Sequence, residues 1–224
     1  MNDPLNLHHR FDGRNHLDIP ELAHTPLRSV PAWLIPYRQR TEDVRLVGEA
    51  GLHFFVDDYR FEAVWNRPQQ VVPGLRPFQA VLTPDFSLYR DWPLVAQMWN
   101  VYRSRWCGAY WQSQGVTVIP TISWSTAVSY EFCFLGVPRH SVVAIATVGL
   151  RWRQDEMARS LFIAGFQEMI QRLSPSLVLC YGRIPSICQE MVEVICYPTR
   201  WQGIRQARKW AARWGRAPRG AARQ

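Results

Sequence analysis

Leu52-His53-Phe54-Phe55-Val56-Asp57-Asp58-Tyr59-Arg60 and Phe78-Gln79-Ala80-Val81-Leu82-Thr83-Pro84-Asp85-Phe86-Ser87 share one pattern: an apolar run of strand length that stops abruptly at carboxylates. A continuous apolar run bounded by polar residues reads as a strand buried on both faces, which is the environment of a parallel sheet. Further runs of this kind span Val116 to Ile122, Val142 to Val148, Leu177 to Cys180 and Val192 to Cys196, and Ala32 to Ile35 adds a shorter one. Helical periodicity separates them. From Trp92 to Gln112, Val95, Met98, Trp99, Tyr102, Trp106 and Ala109 recur at steps of three and four and predict a helix with one apolar face. A second helix is expected from Asp155 to Leu173, with acids at its start and Ser174-Pro175 closing it.

Strand, helix and strand in repetition require parallel strands joined by right-handed crossovers, hence an α/β fold. Six or seven strands fall short of a closed eight-stranded barrel. A TIM-barrel-like body, small or incomplete, is nevertheless favoured over an open doubly wound sheet. The organisation read from the chain is an extended arm over residues 1–45, an α/β body over 46–199, and a basic, aromatic C-terminal helix or tail over 200–224.

Charge is informative once it is placed. All 18 acidic residues and 18 of the 26 basic ones precede residue 200, so the formal charge of +8 resides in the tail. Lys209 is the only lysine, and the other cations are arginines, which make planar bidentate contacts to phosphate. As a helix the tail sets Ile204, Ala207, Trp210, Ala211 and Trp214 on one arc and Arg205, Arg208, Lys209 and Arg213 opposite, a pattern suited to nucleic acid, to an anionic membrane surface, or to docking on the body. No apolar run approaches the roughly 20 residues that cross a bilayer, and no signal peptide opens the chain. Five cysteines, an odd number and mostly within apolar sequence, suit the reducing cytoplasm and form no zinc knuckle.

In a parallel α/β fold the ligand crevice lies at the C-terminal ends of the strands, where Asp57, Asp58 and Asp85 would meet. Three carboxylates on a rigid frame can hold a magnesium or manganese ion for phosphoryl transfer. Two of them can equally serve as acid and base at a glycosidic bond, and Asp58 and Asp85 also suit the capping of a helix and a turn. Ser123, Trp124 and Ser125, and Tyr181 with Arg183, follow other strands toward the same rim, where the aromatic rings and Arg183 are candidates for substrate binding. His8, His9 and His16, with Asp12 and Asp18, lack metal-ligand spacing. No Walker or Gly-x-Gly-x-x-Gly motif occurs, so no nucleotide cofactor is expected.

Several blocks in combination carry a resemblance: His53 to Glu62 (HFFVDDYRFE) with Trp65-Asn66, Pro84 to Tyr89 (PDFSLY), Trp99 to Arg103 (WNVYR), Tyr110 to Gln112 (YWQ), Val118 to Ser125 (VIPTISWS), Phe132 to Pro138 (FCFLGVP) and Leu179 to Gly182 (LCYG). Together they resemble the bacterial and phage proteins grouped as domain of unknown function 4417. The resemblance implies a setting in phages and integrated mobile elements and carries no activity with it. Three functions stand open at this point. The first is a cytoplasmic nucleic-acid-associated protein with metal-dependent phosphoryl-transfer activity at Asp57, Asp58 and Asp85. The second is a non-enzymatic DNA- or RNA-binding protein that uses the tail, and the third is a carbohydrate- or metabolite-directed barrel enzyme.

Overall fold

A computed structural model describes residues 3–26, 29–40 and 47–199. Among them seven strands form in chain order: β1 (Trp33–Pro36), β2 (Ala50–His53), β3 (Ala80–Leu82), β4 (Val118–Ile119), β5 (Val142–Ala146), β6 (Leu177–Tyr181) and β7 (Val194–Tyr197). Six described helices intervene: α1 (Ala63–Asn66), α2 (Pro68–Leu75), α3 (Leu94–Ser113), α4 (Tyr130–Cys133), α5 (Glu156–Leu173) and α6 (Ser186–Gln189). Asp155 caps α5, its carboxylate accepting from the Ala158 N–H at 3.0 Å, and Ser174 ends the helix in the left-handed region at φ 43°.

Every pairing among these strands is parallel. One sheet has the order β1-β2-β3-β4 and the other β5-β6-β7. The two meet at a parallel bridge between Thr121 and Ala144, where Ala144 donates to the Pro120 carbonyl and Ile122 to the Ala144 carbonyl, both at 2.8 Å. Spatial order therefore follows chain order without a reversal, which excludes the doubly wound arrangement, whose strand order must switch direction. No closed barrel forms either. Among the described residues no ladder joins β7 to β1, and the two edges meet instead where the Tyr197 hydroxyl donates to the Pro31 carbonyl at 2.7 Å. Pairing requires the extended backbone to stay in register, and the strands are too short, at two to five residues, to extend the ladders across that gap.

Period-two alternation distributes the side chains between an inner and an outer face. Leu34, Phe55, Ala80, Leu82, Ile119, Ala144, Leu179, Tyr181 and Tyr197 pack together on the concave side. Outside, Leu52, Val81 and Val118 meet α2 and α3, and Val143, Ile145, Val178 and Cys180 meet α5. Full burial of an aliphatic or aromatic side chain contributes about 1.5–3 kcal/mol, so both layers matter to stability.

Helix α3 departs from the one-sided expectation. Every residue from Ser104 to Trp111 is buried, because the N-terminal arm covers the face that the sheet leaves open. The Trp106 indole donates to the His9 carbonyl at 2.8 Å, the Trp65 indole to the Pro4 carbonyl at 3.1 Å, and Phe11 meets the Trp106 ring edge-on. Gly136, at φ 71°, lies where a Cβ would collide with the Pro20 carbonyl oxygen, so only glycine lets the arm pass. Among the described residues no helix is long and apolar enough to cross a membrane. The basic face expected at Arg205, Arg208, Lys209 and Arg213 lies outside the described residues.

A candidate carboxylate site at the C-terminal strand ends

Because the strands are parallel, the residues that follow β2, β3, β4 and β6 emerge at one end of the sheet. Asp58 and Asp85 come near enough there for the Asp58 charge to act on Asp85. The Asp58 carboxylate accepts from the Ser87 N–H at 3.0 Å and from the Ser87 hydroxyl at 2.9 Å, which fixes it against the segment that carries Asp85. Burial raises Asp85 first and the Asp58 charge raises it further, while a hydrogen bond with Ser123 opposes both, and the carboxyl titrates at about 7. Asp58 opens the one-turn helix Asp58–Arg60, but its carboxylate is engaged by Ser87 and not by that helix.

Asp57 stands apart. It is exposed and accepts from the Arg60 Nε at 2.8 Å, on the solvent side of the rim. Among the described residues no three His, Cys, Asp or Glu side chains gather as a group able to hold a metal ion, so the trio expected from the sequence reduces to the pair Asp58 and Asp85. Asp57 flanks the one-turn helix Asp58–Arg60 and is drawn to Arg60, whereas Asp58, its first residue, is drawn to Ser87.

Helix α3 supports the pair from beneath. The Ser104 hydroxyl donates to the Pro84 carbonyl at 2.7 Å, and the Asn100 amide donates to the Ser87 carbonyl at 2.7 Å. Arg103 donates to the Asn100 carbonyl oxygen at 2.7 Å, forks onto Glu62 at 3.1 and 3.2 Å, and lies 3.8 Å over the Phe86 ring. Gln97, Asn100 and Ser104 thus make a buried polar stripe at helical spacing. Their three- and four-residue steps stand in the sequence as polar interruptions of the apolar periodicity, and they are the signal of the site that an apolar-face reading misses.

Arg105 is the least expected member. It is 2% exposed and has no carboxylate partner among the described residues; its three nitrogens donate to the carbonyls of Thr121, Cys133 and Leu135 at 2.9–3.0 Å. Desolvation lowers it to about 10, so it remains a cation at neutral pH. It ties the end of β4 to the end of α4, where helix carbonyls lack intrahelical donors. Between Arg105, Asn100, Ser104, Thr121, Ser123 and Pro84 lies a cavity of about 10 Å³, room for one water molecule.

The other rim residues take up different surroundings. Trp124 turns into the wall, its indole donating to the Leu161 carbonyl at 3.3 Å and its ring 5.4 Å from Phe162. Ser125 is buried and donates to Gln97 at 2.6 Å. Tyr181 lies on the concave side, its ring 4.2 Å from that of His53 and stacked on Phe55. Arg183 is exposed at the rim. His53, which no motif singles out, is fully buried: burial holds it neutral with a pKa of about 3, and its Nδ1 accepts from the Phe55 N–H at 3.1 Å. His9 packs against the Tyr110 ring and His8 stays exposed, in keeping with the absence of ligand spacing in the arm.

Comparison with known proteins follows the same outline. The "Gene 1 protein" of Mycobacterium phage D29 is 45% identical over 208 residues, covering 91% of this chain and 75% of the phage protein. The "Gene 1 protein" of Mycobacterium phage L5 is 44% identical over 217 residues, covering 96% and 91%. No solved structure matches the chain. Residues 11–198 match the family described as "Domain of unknown function (DUF4417)", and with nearly the whole folded body inside that match, the chain belongs to this family.

Proposed function

We propose that this is a cytoplasmic phage protein that acts on nucleic acid, with Asp58 and Asp85 together binding one magnesium or manganese ion for phosphoryl transfer. The observation that carries the reading is the pair itself. Two carboxylates are set side by side at the ligand end of a parallel sheet, and one of them is raised to about 7 by burial and by its neighbour. Such repulsion destabilises the protein and is relieved by a cation. Magnesium is commonly held by only one or two carboxylates, with water and substrate phosphate completing its shell, so a pair suffices. Ser87 and Ser123 fix the two oxygens' directions, and a bound ion would offset phosphate charge and lower the pKa of a coordinated water.

Eight basic residues and no acidic one in residues 200–224 supply a sequence-independent attraction for the phosphate backbone. The same charge favours a second reading, a binding protein without chemistry, and calorimetry separates the two. Titration of manganese into the full chain at pH 7.5 should give one site in the wild type and none in Asp58→Asn or Asp85→Asn. Metal-dependent cleavage of single- and double-stranded DNA and RNA should be lost in the same variants. No manganese uptake by the intact protein would sink the enzymatic reading and leave the binding one.

A further inference from the structure

Away from the rim, on the outer face of the sheet, two cysteines meet. Cys180 on β6 and Cys196 on β7 are direct register partners, and partners in a parallel pair point to the same side. Their exposures differ: Cys180 is buried against α5 and α6, whereas Cys196 is the one exposed cysteine of the five. The other four are buried, in line with their apolar surroundings in the sequence. Neighbouring strands lie ~4.8 Å apart, inside the Cα separation of about 4.4–6.8 Å that a disulfide bridges. Gln189 reaches the Cys196 sulfur from α6 at 4.0 Å.

We propose that Cys196 and Cys180 form a peroxide-sensitive dithiol, in which Cys196 is the oxidised residue and Cys180 the resolving one. The Cys196 thiolate attacks one oxygen of hydrogen peroxide; an S–O bond forms, the O–O bond breaks, and hydroxide leaves with Cys196 as sulfenic acid. The Cys180 sulfur then attacks the Cys196 sulfur. An S–S bond forms, the S–O bond breaks, and the hydroxyl departs as water with the Cys180 proton.

The electrostatics agree with this order. A hydrogen bond from Cys180 is the chief influence that lowers Cys196 to about 6, with Gln189 adding to it against the cost of burial. Cys180 is pushed well above the usual thiol range, first by donating to Cys196, then by burial and by the Cys196 charge. Oxidation of Cys196 to a neutral sulfenic acid removes the anion that holds the Cys180 proton, so the resolving thiol is released only after the first step. Cys107 and Cys133 are held protonated by burial, which pushes Cys107 above the usual thiol range and raises Cys133 to about 12, and leaves both unreactive.

Peptide mapping of the intact protein tests this directly. The reduced full chain is treated with equimolar hydrogen peroxide at pH 7, blocked with N-ethylmaleimide and digested with trypsin without reductant. Residues 173–183, which hold Cys180, should appear linked to residues 184–200, which hold both Cys188 and Cys196. The link should persist in Cys188→Ser and vanish in Cys196→Ser. In Cys180→Ala, dimedone should trap a lasting sulfenic acid at Cys196, and iodoacetamide labelling of Cys196, half-maximal near pH 6 in the wild type, should move up by more than one pH unit. Loss of the link in Cys188→Ser, its survival in Cys196→Ser, or oxidation of Cys196 to sulfinic acid without any link would overturn the assignment. Circular dichroism certifies the fold of each variant, and the two serine variants decide the matter even if Cys180→Ala does not fold.

Discussion

Replacing Asp85 with asparagine should make the protein more stable, by an amount that grows as pH rises from about 4 to about 7 and is constant above. Asp85 titrates at about 7 in the fold against an ordinary 3.8, so the folded state holds a proton that the unfolded chain releases between those values. Stability therefore falls as pH rises through that window, and above about pH 7 the whole penalty is present. At about 1.4 kcal/mol for each pKa step of one, the linkage is on the order of 4 kcal/mol. Solvent reaching the half-buried carboxyl brings the expected effect to about 2–3 kcal/mol. Asparagine keeps the shape and can still hydrogen-bond Ser123, but it carries no charge to be desolvated or to repel Asp58. Urea unfolding in EDTA should give Asp85→Asn an advantage of about 2–3 kcal/mol at pH 8 that shrinks toward zero at pH 4; for a domain of this size the former is roughly 5–10 °C in Tm. An advantage of equal size at both pH values, or a loss at pH 8, would refute the view that burial and the Asp58 charge together penalise the Asp85 carboxylate.

Arg105→Met should cost about 3–5 kcal/mol in urea unfolding, since the carbonyls of Thr121, Cys133 and Leu135 lose their donors together; a loss under 1 kcal/mol would show that water replaces the guanidinium. Gly165→Ala should cost about 2–3 kcal/mol because the new Cβ would collide with the Trp124 indole nitrogen. Most of that loss should return in the double variant with Trp124→Leu, and additive losses would place the strain elsewhere. The proposed binding of the tail to duplex DNA should show a log–log salt slope of about −4 to −5, from about 4–6 phosphate contacts, and should be lost on deleting residues 200–224; unchanged affinity in a truncated protein that keeps its circular dichroism would assign binding to the body.

The architecture is largely legible in the sequence because its signal is burial. A strand covered on both faces must be apolar throughout, and each of the seven described strands lies in or beside an apolar run. Edges are less legible, because a run marks what is buried and not what is paired. Phe54 and Phe55 are buried, yet β2 ends at His53, as the chain has already turned toward the rim. Asp58 and Asp85 are readable as carboxylates that end strands, whereas the rejection of Asp57 depends on a side-chain direction that no run or spacing encodes. Trp124 and Ser125 illustrate the converse. Position after a strand puts both at the rim, but a tryptophan beside a helix that presents Gly165 finds more contact in the wall than in solvent.

One helix binds these observations together. Gln97, Asn100 and Ser104 of α3, at steps of three and four, reach the Ser125 hydroxyl and the Pro84–Ser87 segment, and Arg105, one position further on, reaches the β4–α4 junction. A helical residue advances about 100°, so shifting α3 by a single position would turn all four away at once. The arm prevents that shift, because the Trp106 indole is held by the His9 carbonyl, and Gly108 packs so closely that a Cβ there would stand 2.7 Å from both the Leu22 and the Thr83 side chains. Repulsion between Asp58 and Asp85 would otherwise relax by a small displacement of the 84–87 segment. It is sustained because that segment is bonded at both ends to a helix that is itself clamped on two sides, which is the rigid support that a preorganised site requires. The N-terminal arm, remote from the carboxylates, thus supports the helix on which the burial of Asp85 beside Asp58 rests. Loosening it by Trp106→Phe should lower the Asp85 pKa toward the ordinary range, which carboxyl NMR titration would read directly; an Asp85 pKa unmoved in that variant would show that the arm does not support the pair.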